Sequence, residues 1–246
     1  MTPYLQAVQT ELLRWQQAMQ KPPSRFGKLS TSIQQRMNRF IPNRIHAVIT
    51  ATIKQMTRAV LFGAGYLTKV PVEGKTLTQR DAAVARRIEF YKKTSAAEGG
   101  VTGAGGFLLG LADFPILLSL KMKMLFEIAS LYGFSVSDYR ERVYILYVFQ
   151  LAFSSQERRQ IVYQHVANWE EHSRQLPDDI NQFDWLTFQQ EYRDYIDLAK
   201  MAQLIPGIGA AVGVVVNYRL VGQLGRTAMN AYRMRLLQEK PSLFID

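Results

Sequence analysis

Three polar residues sit where two glycine-laced apolar segments begin, break or end: Glu98, Asp113 and Asn217. The first segment runs from Gly99 through Gly110 to Asp113-Phe-Pro115, the second from Leu204 to Asn217. A polar side chain at such an edge has two uses. It can cap exposed backbone groups at a helix end, the commoner use and the one expected of Asp113. It can instead join its counterparts in a buried polar cluster where the segments meet, and a carboxylate held there would suit acid–base work. Both readings stay open for this candidate cluster.

Other chemistry is poorly provided for. The chain has no cysteine, which removes disulfides, thiolate catalysis and Cys-ligated zinc and suits a reducing compartment. The histidines are His46, His165 and His172. The last two are seven residues apart on one face of an expected helix, beside Glu171, but no HExxH pair or third ligand accompanies them. Catalytic zinc takes three protein ligands, so no metal is expected. Gly74-Lys75-Thr76 looks like the end of a phosphate-binding loop, yet the glycine required five residues earlier is Lys69. Gly103-Ala-Gly105 would need a glycine at Leu108 and a preceding strand to form a dinucleotide fingerprint. No serine stands in a G-x-S-x-G elbow. No catalytic residue and no cofactor is assigned.

Charge carries more information. The 246 residues have a net charge of +10. Residues 1–93 hold 16 Lys and Arg against 4 Asp and Glu, whereas the rest is close to neutral. Ten basic residues and no acidic one lie between Glu11 and Glu73, among them Arg36, Arg39, Arg44 and Arg58. Such an excess points to an anionic partner. Arg86-Arg87 and Lys92-Lys93 flank Phe90-Tyr91, which suits lipid headgroups or RNA, although a solvated helix face is the more frequent explanation. No nucleic-acid motif accompanies the charge, so DNA or RNA is not expected.

Helical periodicity runs through nearly the whole chain. Thr2-Pro3 reads as an N-cap with proline at the first helical position. Tyr4, Leu5, Val8, Leu12, Trp15 and Met19 then trace one face, ended by Pro22-Pro23. Leu29, Ile33, Met37 and Phe40 form a second amphipathic face, and Ile45, Ile49, Ile53, Met56 and Val60 a third. Thr78 to Asp81, Asp138 to Glu141 and Ser154 to Glu157 read as capping boxes. Asp113-Phe-Pro115 is expected to start a helix that stops near Gly133. Asp184 is expected to cap a helix through Phe188 and Leu198, and the last helix should reach about Gln238. No β-alternation of useful length occurs.

The glycines return at helical spacing: Gly103, Gly106 and Gly110 in the first segment, Gly209 and Gly213 in the second. Glycine costs about 1 kcal/mol per helical position relative to alanine, so it needs a packing reason, such as close approach of another backbone. Neither segment reads as a membrane span. Val101–Leu120 carries Asp113, and Met201–Tyr218 is 18 residues long and includes Gln203, Pro206 and Asn217. A spanning helix needs about 20 consecutive apolar residues. Residues 1–20 hold no apolar core of a signal peptide.

The stretch Tyr91-Lys-Lys-Thr-Ser-Ala-Ala-Glu-Gly99 through Gly106, with Leu111-Ala-Asp-Phe-Pro115, resembles the EcsC protein family. So do Ile205-Pro-Gly-Ile-Gly209 through Tyr218 and Ala228-Met-Asn-Ala-Tyr232-Arg233. The likeness covers roughly residues 70–240. It implies a bacterial, membrane-proximal, all-helical protein, from a family named for a gene beside those of an ABC transporter. It carries no catalytic residue or cofactor with it.

The expected molecule is therefore an all-α, multi-helix globular bundle with the two glycine-rich segments packed at its centre. Residues 1–69 would form a basic helical region and residues 70–246 the EcsC-like domain. The favoured role is a non-enzymatic, cytoplasmic, peripherally membrane-associated accessory protein, binding an anionic membrane surface or a membrane transport complex. A hydrolase or lipid-modifying enzyme with a pocket between the glycine helices, and a carrier of apolar ligands, are the alternatives.

Overall fold

The computed structural model describes residues 2–22, 43–62, 74–103, 106–155, 158–184, 186, 188 and 210–244; for 43–46, 98–103, 106–113, 210–216 and 244 only the backbone is described. In chain order the helices among them are α1 (Pro3–Gln20), α2 (Asn43–Leu61), α3 (Leu77–Gly103), α4 (Gly106–Tyr132), α5 (Tyr139–Phe153), α6 (Arg159–Ala167), α7 (Trp169–Arg174) and α8 (Ala210–Glu239). Two 3-10 turns, Ile180–Gln182 and Pro241–Phe244, complete the set. The described residues form an all-α bundle, as expected.

Helix α5 is the buried axis. Every residue from Val143 to Phe153 is inside, and a helix apolar all round can only be a core helix. Around it lie α2, α4, α6 and α8. Helix α8 also packs along α3, which in turn packs along α4. The same core takes Leu5, Val8 and Leu12 from α1 and Ile49, Ile53, Met56 and Val60 from α2, the faces that periodicity assigned. Thr2 caps α1, its hydroxyl accepting from the Leu5 amide at 3.3 Å.

Helix α4 ends in a Schellman motif, where expected. The Gly133 amide donates to the Ser130 carbonyl and the Phe134 amide to the Ala129 carbonyl, both at 3.0 Å. Gly133 takes φ +93°, open to glycine at little cost. The Arg80 guanidinium donates to the Leu131 carbonyl and lies where a Gly133 Cβ would come within 2.7 Å of it.

Four local expectations fail. The capping box of α3 is not Thr78–Asp81 but Thr76–Gln79: the Gln79 amide donates to Thr76 Oγ1 at 3.3 Å and the Thr76 amide to Gln79 Oε1 at 3.2 Å. Asp81 is thereby turned to the inner face. Asp113 starts no helix, because α4 runs unbroken through Asp113-Phe-Pro115. Proline within a helix costs about 3 kcal/mol, but Phe114, Leu117 and Leu118 are fully buried beside it, and burying such side chains gains about 1.5–3 kcal/mol each. Asn217 marks no break either, since it lies inside α8. Ser154 ends α5 rather than starting the next helix, its hydroxyl donating to the Gln150 carbonyl at 2.6 Å. The Asp138 expectation is half met: its carboxylate accepts from the Arg140 amide at 2.9 Å, but Glu141 turns into the core.

Candidate functional site

Helices α3 and α8 each place a charged residue, Asp81 and Arg233, on the face they share. Leu77, Asp81, Val84, Ile88 and Tyr91 recur at helical spacing along α3 and all are buried. Asp81 is the one charged member of that stripe. Its carboxylate is met by Arg233 of α8, whose Nε and Nη2 donate to Oδ2 at 3.1 and 3.0 Å. Tyr132 of α4 donates to Oδ1 at 2.5 Å, and Tyr4 of α1 to Oδ2 at 2.8 Å. The remaining guanidinium nitrogen of Arg233 donates to Glu11 of α1 at 3.0 Å and to Asn230 Oδ1 at 3.3 Å. One ion pair thus ties four helices together.

A second pair lies two residues further along α8. Arg235 donates to Glu141 Oε2 of α5 at 2.6 Å and to Glu239 at 2.6 Å. Tyr232 donates to Glu141 Oε1 at 2.6 Å. The Arg235 guanidinium stacks on Phe134 at 4.0 Å and Tyr144 at 4.9 Å. Tyr232 and Tyr132, one from each network, stack at 5.7 Å, so the two networks form a continuous buried spine.

Electrostatics agree with this geometry. Burial alone would lower the Arg233 pKa, but the Asp81 charge, with Tyr132 and Glu11, more than reverses it. Arg235 is raised in the same way, burial being overcome chiefly by Glu141. Burial pushes Glu141 up, against the pull of Arg235 and Tyr232. Tyr4 is pushed up to about 12 by burial and then by its bond to Asp81. Asp81 accepts four hydrogen bonds, so its lone pairs are already committed. Such a carboxylate is a strut between helices.

The outer face of α3 is different. Arg87 is paired with Glu127 of α4, which also accepts from Tyr91 at 3.0 Å. Lys92 pairs with Glu89 at 2.7 Å and lies over the Tyr218 ring at 4.2 Å. The doublets are thereby split. Arg87, Tyr91 and Lys92 are bonded to neighbours, while Arg86, Phe90 and Lys93, at helical spacing, face outward. Phe90 is 50% exposed with the Arg87 guanidinium 4.8 Å above it. On the adjoining α4, Ile116 is 58% exposed and Lys123 is also outward. Arg86, Lys93 and Lys123 have no ion-pair partner among the described residues.

Of the candidate cluster, Asn217 is fully buried in α8. The side chains of Glu98 and Asp113 lie outside the described residues. So do Arg36, Arg39 and Gly209, the Arg44 side chain, and the surroundings of Gly103, Gly106, Gly110 and Gly213. Arg58 is exposed on α2. His165 and His172 remain together despite the break at Asn168, their rings 4.8 Å apart against Tyr147, whose hydroxyl is 3.2 Å from His172 Nε2. Among the described residues no three acidic or histidine side chains are placed to hold a metal ion. Sequence reading overlooked Asp81, Glu141, Arg233 and Arg235. The usable signal was a charged residue at a position where the helical stripe demands an apolar one.

The model of the EcsC protein family matches residues 6–237, and the chain belongs to that family. It is 43% identical over 235 residues to Protein EcsC of Bacillus subtilis (strain 168), covering 95% of this chain and 97% of that protein. It is also 28% identical over 151 residues to YdbA of the same organism, covering 60% of this chain and 55% of YdbA. No solved structure matches.

Proposed function

We propose, with EcsC membership as the premise, that this chain is a non-catalytic accessory protein that docks on an anionic membrane surface beside a membrane transport complex. The observation that carries this reading is the contrast between its two sets of charges. The acidic groups Asp81, Glu127 and Glu141 are committed to arginines and tyrosines between helices. The cations Arg86, Lys93 and Lys123 point outward, Arg86 and Lys93 at helical spacing with exposed Phe90 on α3, and Lys123 on α4, where Ile116 is also exposed. Cations around an apolar tip are what an interfacial helix face offers to anionic lipid. Each Lys or Arg near such a surface contributes about 1 kcal/mol. No helix among the described residues is long and apolar enough to cross a membrane, so attachment through a face is the reading supported. The basic stretch 14–69, with Arg36, Arg39, Arg44 and Arg58, is proposed as a second contributor.

Co-sedimentation with phosphatidylglycerol and phosphatidylcholine vesicles tests this. Binding should be confined to the anionic vesicles and weaken sharply between 0.05 and 0.5 M NaCl, because screening shortens the field to about 10 Å at 0.1 M. Replacing Arg86 and Lys93 by Gln and Phe90 by Ser should weaken it about tenfold or more. A quadruple Gln variant at Arg36, Arg39, Arg44 and Arg58 measures the share of the second region. Equal binding to both vesicle types at all salt concentrations would sink the proposal. Release from membranes only by detergent would point instead to insertion.

A further inference from the structure

A cleft of about 400 Å³ opens between α1, α5, α6 and α8, on residues separate from the outer face of α3. Three arginines line it, Arg14 from α1, Arg159 from α6 and Arg226 from α8. None of their guanidinium groups has an ion-pair or hydrogen-bond partner among the described residues. That sets them apart from Arg233 and Arg235, which are held by carboxylates; of the three, Arg14 and Arg226 are exposed. Arg159 is half-buried, and burial lowers its pKa with no opposing charge to restore it. A partly desolvated guanidinium left unpaired is costly, and a bound anion would remove that cost.

The remaining polar groups lean the same way. Thr227 and Asn230, both buried, line the cleft beside Arg226. Asn230 Oδ1 is already taken by Arg233, which leaves its amide nitrogen as the group on offer. Glu11, the acidic residue of the lining, is held by Arg233. Trp15, Met19 and Leu151 supply an apolar wall. The volume lies within the range of about 300–1,000 Å³ usual for small-ligand sites.

We propose that this cleft binds a phosphomonoester carrying an apolar group, with Arg14, Arg159 and Arg226 holding the phosphate and Trp15, Met19 and Leu151 the apolar part. A single carboxylate would leave most of this charge unanswered. A dianion with three equivalent oxygens can engage several planar guanidinium forks at once. The same chemistry is presented by a small soluble phosphomonoester and by the headgroup of phosphatidic acid. The proposal does not rest on membrane docking through α3.

Hexyl phosphate, with hexanol as the uncharged control, is titrated into the full chain by calorimetry. In parallel, the chain is sedimented with phosphatidylcholine vesicles with and without phosphatidic acid. Hexyl phosphate should bind at least tenfold more tightly than hexanol. The double variant Arg159→Gln, Arg226→Gln should weaken binding at least tenfold with an unchanged melting curve. Arg226 is exposed, so Arg226→Gln alone keeps the test decisive where the double variant fails to fold, with a loss of threefold or more expected. Arg226-dependent binding of hexyl phosphate alone supports the proposal and assigns a soluble ligand. Arg226-dependent capture on phosphatidic acid supports it and assigns a lipid headgroup, even where the Arg86, Phe90 and Lys93 variants bind vesicles normally. Failure of both probes to bind in a way that depends on Arg226 would overturn it.

Discussion

Asp81 takes hydrogen bonds from three helices other than its own, through Tyr4, Tyr132 and Arg233. Removing one partner of a buried ion pair leaves the other charge uncompensated, at a cost of about 3–5 kcal/mol. Asp81→Asn should therefore lower the unfolding free energy by that amount in urea titration. Replacing Asp81 by Leu and Arg233 by Met together should cost less than the two single changes added, because a hydrophobic pair leaves no stranded charge. A double loss as large as the sum would show that the pair is not a unit. His172 makes a different residue-scale prediction. Burial, with the neighbouring His165, holds its pKa below the ordinary 6.5. The unfolded chain therefore binds the proton more readily, so this contribution is complete above about pH 6.5 and lost as pH falls through the folded value. Tyr147 and Trp169 flank the ring as well as His165. Melting temperatures between pH 7.5 and 5 should decline less in His172→Phe than in the unsubstituted chain; identical slopes would remove His172 as the source.

At the scale of elements, the closest approach of α3 to α8 among the described residues is at a glycine, Gly225. A Cβ on Gly225 would lie 2.7–2.9 Å from three carbons of Ile88. A Cβ on Gly222 would meet only the ends of Lys92 and Arg226, at 3.4–3.6 Å. Gly225→Ala should destabilise by about 1–3 kcal/mol through overpacking, with recovery when Ile88 is cut to Val. Gly222→Ala should be neutral or stabilising by up to about 1 kcal/mol, since alanine is the better helix former and the neighbouring chain ends can move. Equal effects at the two sites would contradict the close approach at Gly225. Neither glycine belongs to a spacing of four, and their neighbours differ only because α3 crosses nearer one than the other. No one-dimensional pattern distinguishes them.

For the whole molecule, the proposed function makes the exposed basic groups matter for binding more than for stability. Arg86 and Lys93 are exposed and unpaired among the described residues, so the Gln variants that weaken vesicle binding should leave the unfolding free energy within about 0.5 kcal/mol. A large loss would mean that the face is part of the fold and would detach it from the proposed function. The sequence by itself determined the all-α class, the inner faces of α1 and α2, the stop at Gly133 and the family. Each is a matter of local spacing, where apolar residues recur every three or four positions and a glycine supplies the turn. It also determined the charge imbalance, which needs only counting. Where polar residues went was decided by tertiary structure. Asp81 and Glu141 looked like members of capping boxes, and Ser154 like a helix start, because local geometry allows each of them. In the folded chain Thr76 and Gln79 cap α3, which frees Asp81 for an arginine 152 positions away. The Asp113-Phe-Pro115 order reads locally as a helix start, yet burial of Phe114, Leu117 and Leu118 outweighs one lost backbone bond. A pairing over such a separation leaves no periodic trace, so only the packing of α3 against α8 could bring Asp81 to Arg233.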